Sequence, residues 1–402
     1  MRVAARLDPR RQVQAAAALL EVGRASEALE VLGDGAPLAW RARAALAAAE
    51  PAVALALALS LGGPDGDALA ATARDRLGAP DAWAGGLPER LSSEAAIAWS
   101  RAPTLARTEL ERLEAALVPN QPVRWLRMRV WAARARVADR LGRPADAVHA
   151  ARAALDCSAE VPAPVERAEW PFASAPAGGA RGLVLVVGMP RSGTTLLERC
   201  LSRHPGIDAR GERTVLPALA SALCASGVTP GADLGWLRDL LVPDGAERWV
   251  VDKLPGNDRH VDLACAVAPD TRVVHCVRDR FDTCASILLT PFAGTHPWRR
   301  SVAAVAAEYD RHLVRVAGWR SQGVPIHRVR CEALATRPEA VLRGVLAFLG
   351  LPWDDRVLSP QRAARASTAS HAQVREGPHG RFLGRYDAYR PLLPELTSRR
   401  RA

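Results

Sequence analysis

The chain has 402 residues, enough for two or three domains, and its 49% hydrophobic and 24% charged residues are typical of a folded globular protein and exclude a disordered one. The formal net charge of +11 suits an acidic partner, which can be nucleic acid, a membrane surface or a small polyanionic ligand. Because the excess of basic residues is nearly all arginine and is spread along the chain, we expect no nucleic-acid partner.

Seven cysteines lie far apart in the sequence and form no Cys-x-x-Cys pair. This pattern predicts reduced, buried thiols and therefore a cytoplasmic protein. The first residues, MRVAARLDPRRQVQ, lack the apolar segment of a signal peptide, so we expect none. The longest apolar runs, such as Leu183–Val187, are too short to cross a bilayer, and we expect no membrane span.

Residues 1–160 are rich in alanine, leucine and arginine, which predicts an all-helical domain. Two segments in it, Ala15–Leu32 and Ala132–Leu155, share a Gly-Arg pair between two helical stretches, at Gly23 and at Gly142. The pattern resembles tetratricopeptide repeats, which are helix–turn–helix units of about 34 residues. A plain helical bundle is the alternative. Such a region could hold a homodimer together or contact a peptide.

Residues 161–180 carry linker chemistry, with proline, glycine and alanine in place of periodic apolar residues. Residues 181–402 then read as an α/β domain. The strand candidates Leu183–Val187, Arg248–Val251 and Arg272–Val277 alternate with helical segments. This alternation predicts a P-loop-like parallel sheet flanked by helices, preceded by the all-α domain.

The first predicted strand of the α/β domain runs into a glycine-containing loop and then a helix, in the sequence LVLVVGMPRSGTTLLER. Such a loop presents backbone N–H groups and a helix N-terminus to an anion. The candidate anion-binding residues are Gly188, Pro190, Arg191, Ser192, Gly193, Thr194 and Thr195. A nucleoside-triphosphate P-loop requires lysine at position 194 and this chain has threonine there, which argues against ordinary ATP or GTP hydrolysis.

The run from Pro190 to Thr195, with its continuation RSGTTLLERCLSRHP, resembles the 5′-phosphosulfate loop of sulfotransferases. It is similar to the bacterial sulfotransferases that carry N-terminal tetratricopeptide repeats and, more distantly, to tyrosylprotein sulfotransferases. The resemblance covers about residues 181–395. It implies the sulfotransferase fold, 3′-phosphoadenosine-5′-phosphosulfate (PAPS) as co-substrate and 3′,5′-ADP as product.

The same resemblance implies a site for the 3′-phosphate. Arg278 ends a predicted strand and Ser286 follows eight residues later, which is the family's spacing. Arginine suits phosphate because its fork can bind two oxygens. Near the C-terminus, Arg375 and Gly377 resemble a segment that closes over the nucleotide. A strand-end salt bridge of Arg278 with Asp279 or Asp282 is the alternative.

For catalysis, the resemblance to tyrosylprotein sulfotransferases suggests Glu212 as the general base, as the only carboxylate expected in its segment. His204 is the alternative base, since cytosolic sulfotransferases use a histidine. The resemblance also implies that Lys253, which follows a predicted strand as in the family, stabilises the charge of the leaving phosphate, with Arg191 as the second cation. With these two cations we expect no requirement for a metal.

Two other functions stay open beside sulfotransfer. One is a P-loop nucleotide kinase or NTPase, and the other is a non-catalytic helical-repeat adaptor with a degenerate nucleotide domain. The acceptor of a sulfotransferase could be a peptide or protein, a carbohydrate or another small molecule that offers a hydroxyl or an amine.

Overall fold

The computed structural model describes the residue ranges 51–61, 63–76, 92–100, 105–121, 124–157, 170–172, 182–228, 233–243, 248–290, 298–359 and 383–397, and the single positions 16, 32, 39, 41, 42, 45, 102 and 296. The predicted donor residues Arg375 and Gly377, most of the repeat segment Ala15–Leu32 and most of the predicted linker lie outside the described residues.

The N-terminal part of the chain is helical wherever regular structure is described. Its helices are α1 (Pro51–Leu61), α2 (Gly63–Arg76), α3 (Ser93–Trp99), α4 (Arg107–Ala116), α5 (Arg124–Arg140) and α6 (Pro144–Asp156).

The helices α5 and α6 form the helix–turn–helix unit that the sequence predicts around Gly142. This glycine has φ +72°, a conformation that costs an L side chain strain. The Arg143 N–H then donates to the Ala138 carbonyl at 2.9 Å, which closes the end of α5. The helical character of this region is confirmed, while its assignment as a tetratricopeptide repeat stays a prediction.

The second part of the chain alternates strands with helices. Its elements are β1 (Gly182–Gly188), α7 (Thr194–Leu201), β2 (Ile207–Ala209), α8 (Val215–Ala225), α9 (Arg238–Leu241), β3 (Trp249–Asp252), α10 (Val261–Val267), β4 (Arg272–Val277), α11 (Arg280–Leu288), α12 (Val302–Ser321), β5 (Ile326–Arg330), α13 (Cys331–Thr336), α14 (Pro338–Leu349) and α15 (Pro394–Thr397). Short 3₁₀ turns cover Gly235–Leu237, Pro255–Arg259, Asp355–Leu358 and Asp387–Leu392.

The five strands form one parallel sheet in the order β2-β3-β1-β4-β5. The predicted parallel α/β architecture is confirmed. The chain leaves β1 toward one edge of the sheet and later crosses to the other side at β4. The strand β1 therefore lies at the switch point, where open α/β sheets bind ligands beyond the carboxyl ends of their strands.

Helices cover both faces of the sheet, because β1 is apolar on both sides. Leu183, Leu185 and Val187 pack into one buried cluster together with residues of α8 and α10. Val184 and Val186 point the other way and pack with residues of α7 and α14. Complete burial of a valine or leucine side chain stabilises the fold by about 1.5–3 kcal/mol, so this strand anchors the loop that follows it.

A third buried cluster joins the helical part to the α/β part. It contains side chains of α5, α6, α11 and α12 together with the C-terminal segment. Asp139 of α5 adds polar contacts, since its carboxylate accepts hydrogen bonds from Tyr389 Oη at 2.7 Å and from Arg385. Arg152 of α6 pairs with Glu395 at 2.8 Å. The C-terminal segment is thus fixed between the two parts of the chain.

Among the described residues, no helix combines the length and the apolar character needed to cross a bilayer.

Candidate active site

The predicted functional side chains follow the carboxyl ends of different strands, and in a parallel sheet these ends share one edge. The loop with Arg191 follows β1, Glu212 follows β2, Lys253 follows β3 and Arg278 follows β4. The fold therefore brings to one edge residues that lie up to 87 positions apart, as with Arg191 and Arg278.

The loop after β1 is shaped for an anion. Gly188 lies against the Ser192 hydroxyl and the Cys276 carbonyl, so that a Cβ added to it would meet them at 2.5 and 2.6 Å. Gly193 has φ +93° and opens α7, whose first N–H groups face the loop. The Ser192 hydroxyl is buried and has no hydrogen-bond partner within the described part of the chain. Buried polar groups normally have a hydrogen-bond partner, and a bound anion would accept the hydrogen bond of this hydroxyl.

Arg191 is held in an unusual backbone conformation. Its φ of +72° is the one positive value of a residue other than glycine among the described residues. Such strain is found at sites where the surroundings fix a side chain for function. Here the strain directs the guanidinium toward α11, where Arg191 Nε donates to Ser286 Oγ at 3.0 Å.

Arg278 lies beside the same loop and makes the salt bridge that the sequence left open. Its Nη2 lies 3.1 Å from Asp282 Oδ2, and both side chains are buried. Its Nη1 also donates to the Arg191 carbonyl at 3.4 Å, while Tyr309 Oη donates to the Arg278 carbonyl at 2.6 Å. Arg278 can therefore keep its ion pair with Asp282 and also lie at the predicted 3′-phosphate site.

Two further arginines, Arg278 and Arg385, lie near the Arg191 guanidinium. Burial lowers the pKa of the Arg191 guanidinium, and the charges of Arg278 and Arg385 lower it further, against an opposing contribution from Tyr386. Sequence reasoning missed Arg385 and Tyr386, since nothing in their local sequence indicates that the C-terminal segment returns to this site. An anion bound here would relieve the repulsion among the arginines.

Lys253 is fully buried between two carboxylates. Its Nζ lies 2.7 Å from Glu212 Oε1 and 3.7 Å from Glu198 Oε2. Glu212 keeps a side-chain exposure of 30%, so one of its sides can be reached from solvent, whereas Glu198 is 9% exposed. The arrangement can take a proton at Glu212 and present a positive charge at Lys253.

Glu212 is the only carboxylate in the segment Arg210–Thr214, but Glu198 of α7 also faces Lys253 from outside that segment. A signal was present in the sequence. Glu198 lies four residues after Thr194, and residues at this spacing share one face of a helix, here the face that follows the loop. Burial raises the pKa of Glu198; Lys253 lowers it and Glu212 raises it.

His204, the alternative base, is occupied by structural hydrogen bonds. Its Nδ1 accepts from the Gly206 N–H at 3.0 Å, and its Nε2 lies 2.9 Å from the Pro352 carbonyl. Because Nδ1 is an acceptor, the ring proton belongs on Nε2 and is donated to Pro352. The residue is 3% exposed and ties the end of α7 to the turn after α14.

Glu332 supports α11. Its Oε1 accepts from the Asp279 N–H at 2.7 Å, while the Asp279 side chain caps the helix by accepting from the Asp282 N–H at 2.9 Å. Within the described ranges, no group of three or more histidine, cysteine, aspartate or glutamate side chains is arranged to hold a metal ion.

A second buried polar network, absent from the sequence predictions, connects β4 to α12. His275 Nε2 lies 3.0 Å from His312 Nε2, and His312 Nδ1 lies 2.9 Å from Asp258 Oδ2. Arg315 also donates to Asp258, at 2.8 Å. Burial, with the neighbouring His312 ring, lowers the pKa of His275 to about 3, so this ring is neutral at physiological pH.

Comparisons with known proteins point to one family. The model of the sulfotransferase family matches residues 184–232 and 235–355. An uncharacterized protein of Aquifex aeolicus (strain VF5) is 29% identical over 235 residues, covering 52% of this chain and 31% of the relative. Protein-tyrosine sulfotransferase 1 of Danio rerio is 25% identical over 205 residues, covering 44% of this chain and 55% of the relative.

Among solved structures, the sulfotransferase domain from the curacin biosynthetic pathway matches with a TM-score of 0.37 and 20% identity, over 50% of this chain and 86% of that domain. The residues that match the family model all lie in the α/β part of the chain. The chain spans about a third of the Aquifex relative and about half of the Danio relative.

Proposed function

We propose that this protein transfers the sulfuryl group of PAPS to the hydroxyl, or the amine, of an acceptor. The observation that carries the proposal is the contact of 2.7 Å between Lys253 and Glu212 at the sheet edge where the anion-binding loop lies. A carboxylate that can accept a proton and a cation that can face a leaving phosphate are the two groups this reaction requires.

Three features support the donor part of the proposal. The buried Ser192 hydroxyl, which has no partner among the described residues, and the close approach at Gly188 suit the phosphosulfate end of the donor. Arg278 and Ser286, joined through Arg191, suit the 3′-phosphate. We propose the remaining loop residues, with Arg375 and Gly377 of the C-terminal segment, as further donor contacts.

In the transfer step, Glu212 accepts the proton of the acceptor hydroxyl. The acceptor oxygen forms its bond to sulfur as the bond between sulfur and the phosphate oxygen breaks, and 3′,5′-ADP leaves. Lys253 and Arg191 face the oxygen on which negative charge grows. Because this charge grows toward the transition state, the two cations contribute to the rate more than to donor binding.

The acceptor is open within this proposal. The similarity to a protein-tyrosine sulfotransferase favours a protein or peptide acceptor, and a carbohydrate or another small molecule is compatible with the same chemistry. The helical part could contribute a peptide contact or a homodimer interface. A cytoplasmic location stays a prediction from the cysteine pattern.

The test is retention on immobilised 3′,5′-ADP, followed by thermal unfolding with 3′,5′-ADP and with 5′-AMP. A ligand raises the stability of the state it binds, by an amount that grows with its affinity. We expect a clearly larger increase of Tm with 3′,5′-ADP, and the Arg278→Ala variant should lose most of the difference. The matched control is Arg343→Ala, which removes an exposed ion pair with Glu339.

Equal increases of Tm with the two nucleotides would overturn the 3′-phosphate assignment. Retention of the protein on immobilised ATP but not on immobilised 3′,5′-ADP would favour the kinase alternative. No binding to either nucleotide would favour the adaptor.

A further inference from the structure

Glu198 is a buried acidic residue that the proposed mechanism does not use. It lies on α7, one helical turn beyond the anion-binding loop, and its Oε2 is 3.7 Å from Lys253 Nζ. Lys253 has no exposed surface and lies on the other side against Glu212, at 2.7 Å. The ammonium group is therefore enclosed between two carboxylates of different accessibility.

The backbone around these three side chains ties them into one unit. The Lys253 N–H donates to the Gly211 carbonyl at 2.9 Å, which links the start of the loop after β3 to the residue before Glu212. Gly211 has φ +73°, and a Cβ added to it would lie 4.0 Å from Glu198 Oε1. Glu198 thus lies beside both the lysine and the segment that carries the base.

The charge balance of this unit changes during the reaction. When Glu212 is ionised, it neutralises Lys253. When Glu212 accepts the acceptor's proton, this pairing is lost, and a buried ammonium without an ionised partner is strongly disfavoured. Glu198 is the other carboxylate beside Lys253 among the described residues, and it can restore the pairing.

We propose that Glu198 is a positioning residue that keeps the Lys253 ammonium paired and oriented while Glu212 is protonated. This proposal rests on the function proposed above. It assigns Glu198 no contact with the reacting atoms. Burial raises the pKa of the Glu198 carboxyl, as does the neighbouring Glu212, whereas the Lys253 ammonium lowers it and so favours the ionised form that the pairing requires.

The first test uses steady-state kinetics on the full chain. Glu198→Gln keeps the size and hydrogen bonding of the side chain but cannot become charged. We expect kcat to fall by roughly 10- to 100-fold, while the Kd for 3′,5′-ADP changes less than about twofold, because the lost pairing matters only after proton transfer. Glu198→Asp should recover part of kcat.

The matched control is Glu308→Gln. Glu308 is also a buried glutamate, but its partners are Arg259, Arg311 and Arg315. Loss of its charge should lower Tm, and it should not lower kcat while leaving the Kd for 3′,5′-ADP unchanged. If Glu198→Gln behaves like this control, or keeps kcat within twofold of the unchanged protein, the proposal is overturned.

The second test needs no turnover and separates this proposal from the proposed function. Lys253 is the only lysine in the sequence, so an amine-directed reagent reports on its side chain once the N-terminal amine is accounted for by mass spectrometry. Glu198→Ala should raise the labelling rate of Lys253 by roughly tenfold, which corresponds to about 1.4 kcal/mol of lost protection. An unchanged labelling rate would overturn the proposal even if PAPS were not the donor.

Discussion

Gly188 and Ser192 lie so close that a methyl group on the Gly188 α-carbon would meet the Ser192 hydroxyl oxygen at 2.5 Å. The Cys276 carbonyl oxygen lies 2.6 Å from the same added carbon, so the chain cannot make room for it by shifting toward β4. Gly188→Ala should therefore displace the loop and abolish retention on immobilised 3′,5′-ADP, with far-UV circular dichroism unchanged.

The control for this change is Gly318→Ala. Gly318 lies in α12 with nothing within 4 Å of an added Cβ, and alanine is favoured over glycine in a helix by about 1 kcal/mol. This variant should bind as before and unfold at a slightly higher temperature. Unchanged nucleotide binding by Gly188→Ala would show that the loop does not hold the donor.

A comparison of three variants distinguishes the effect of the base, the effect of the cation and the effect of donor binding. Glu212→Gln keeps shape and hydrogen bonding but removes basicity, and it should lower kcat by roughly 10²–10⁴ with donor affinity nearly unchanged. Lys253→Met should also lower kcat strongly, because the charge it faces grows only toward the transition state. Arg278→Ala should instead weaken donor binding. Single-turnover rates and equilibrium binding measure the two effects independently.

Glu339→Gln is the control for Glu212→Gln, since Glu339 forms an exposed i,i+4 pair with Arg343 and should leave kcat unchanged. The competing base is His204. If Glu212→Gln kept full activity while His204→Gln lost it with an unchanged Tm, His204 would be the base, despite its hydrogen bonds to Gly206 and Pro352.

The fold was predictable from the sequence where the periodic signal is strong. The predicted strand Arg272–Val277 is observed with the same bounds, and the apolar run Leu183–Val187 lies inside β1. The predicted Arg248–Val251 is observed one residue later, as Trp249–Asp252. The strand β2 was missed, because its three residues, Ile207–Ala209, are too few to show a period.

The parts of the site that lie in a local sequence motif were predictable, whereas the parts that only the tertiary structure brings together were not. The loop around Gly188 and Ser192 could be read from a strand–loop–helix pattern. Arg385 could not be placed, because its role depends on where the C-terminal segment returns, and the helical spacing of Glu198 from Thr194 did not show which strand lies beside it. Asp139, which holds Arg385, belongs to the helical part of the chain, and no local pattern links the two.

Chelation should leave the transfer reaction unaffected. In the proposed mechanism Arg191 and Lys253 neutralise the departing phosphate, which is the part that Mg²⁺ plays in phosphoryl transfer. The measurement is the rate of sulfuryl transfer from PAPS after dialysis against EDTA, with and without added MgCl₂. An absolute requirement for Mg²⁺ would contradict the two-cation account and would favour the nucleotide-kinase alternative.

The buried network of His275 predicts a specific loss of stability in acid. The unfolded chain binds a proton at this histidine below its ordinary pKa of about 6.5. The folded state resists protonation down to about 3, because burial and the neighbouring His312 and Arg328 oppose the charge, with a smaller opposite effect of Asp258. Stability from this group is therefore fully present above pH 6.5 and falls as the pH decreases toward 3. By linkage, the free energy of unfolding should drop by about 2 kcal/mol from this group alone between pH 7.5 and pH 5.

Urea unfolding at the two pH values measures this drop. The variant His275→Gln should be less stable than the unchanged protein at pH 7.5, but its free energy of unfolding should depend less on pH, by that amount. The exposed His149, changed to Gln, should keep the pH dependence of the unchanged protein. If His275→Gln also kept it, the acid sensitivity would originate elsewhere than in the buried His275.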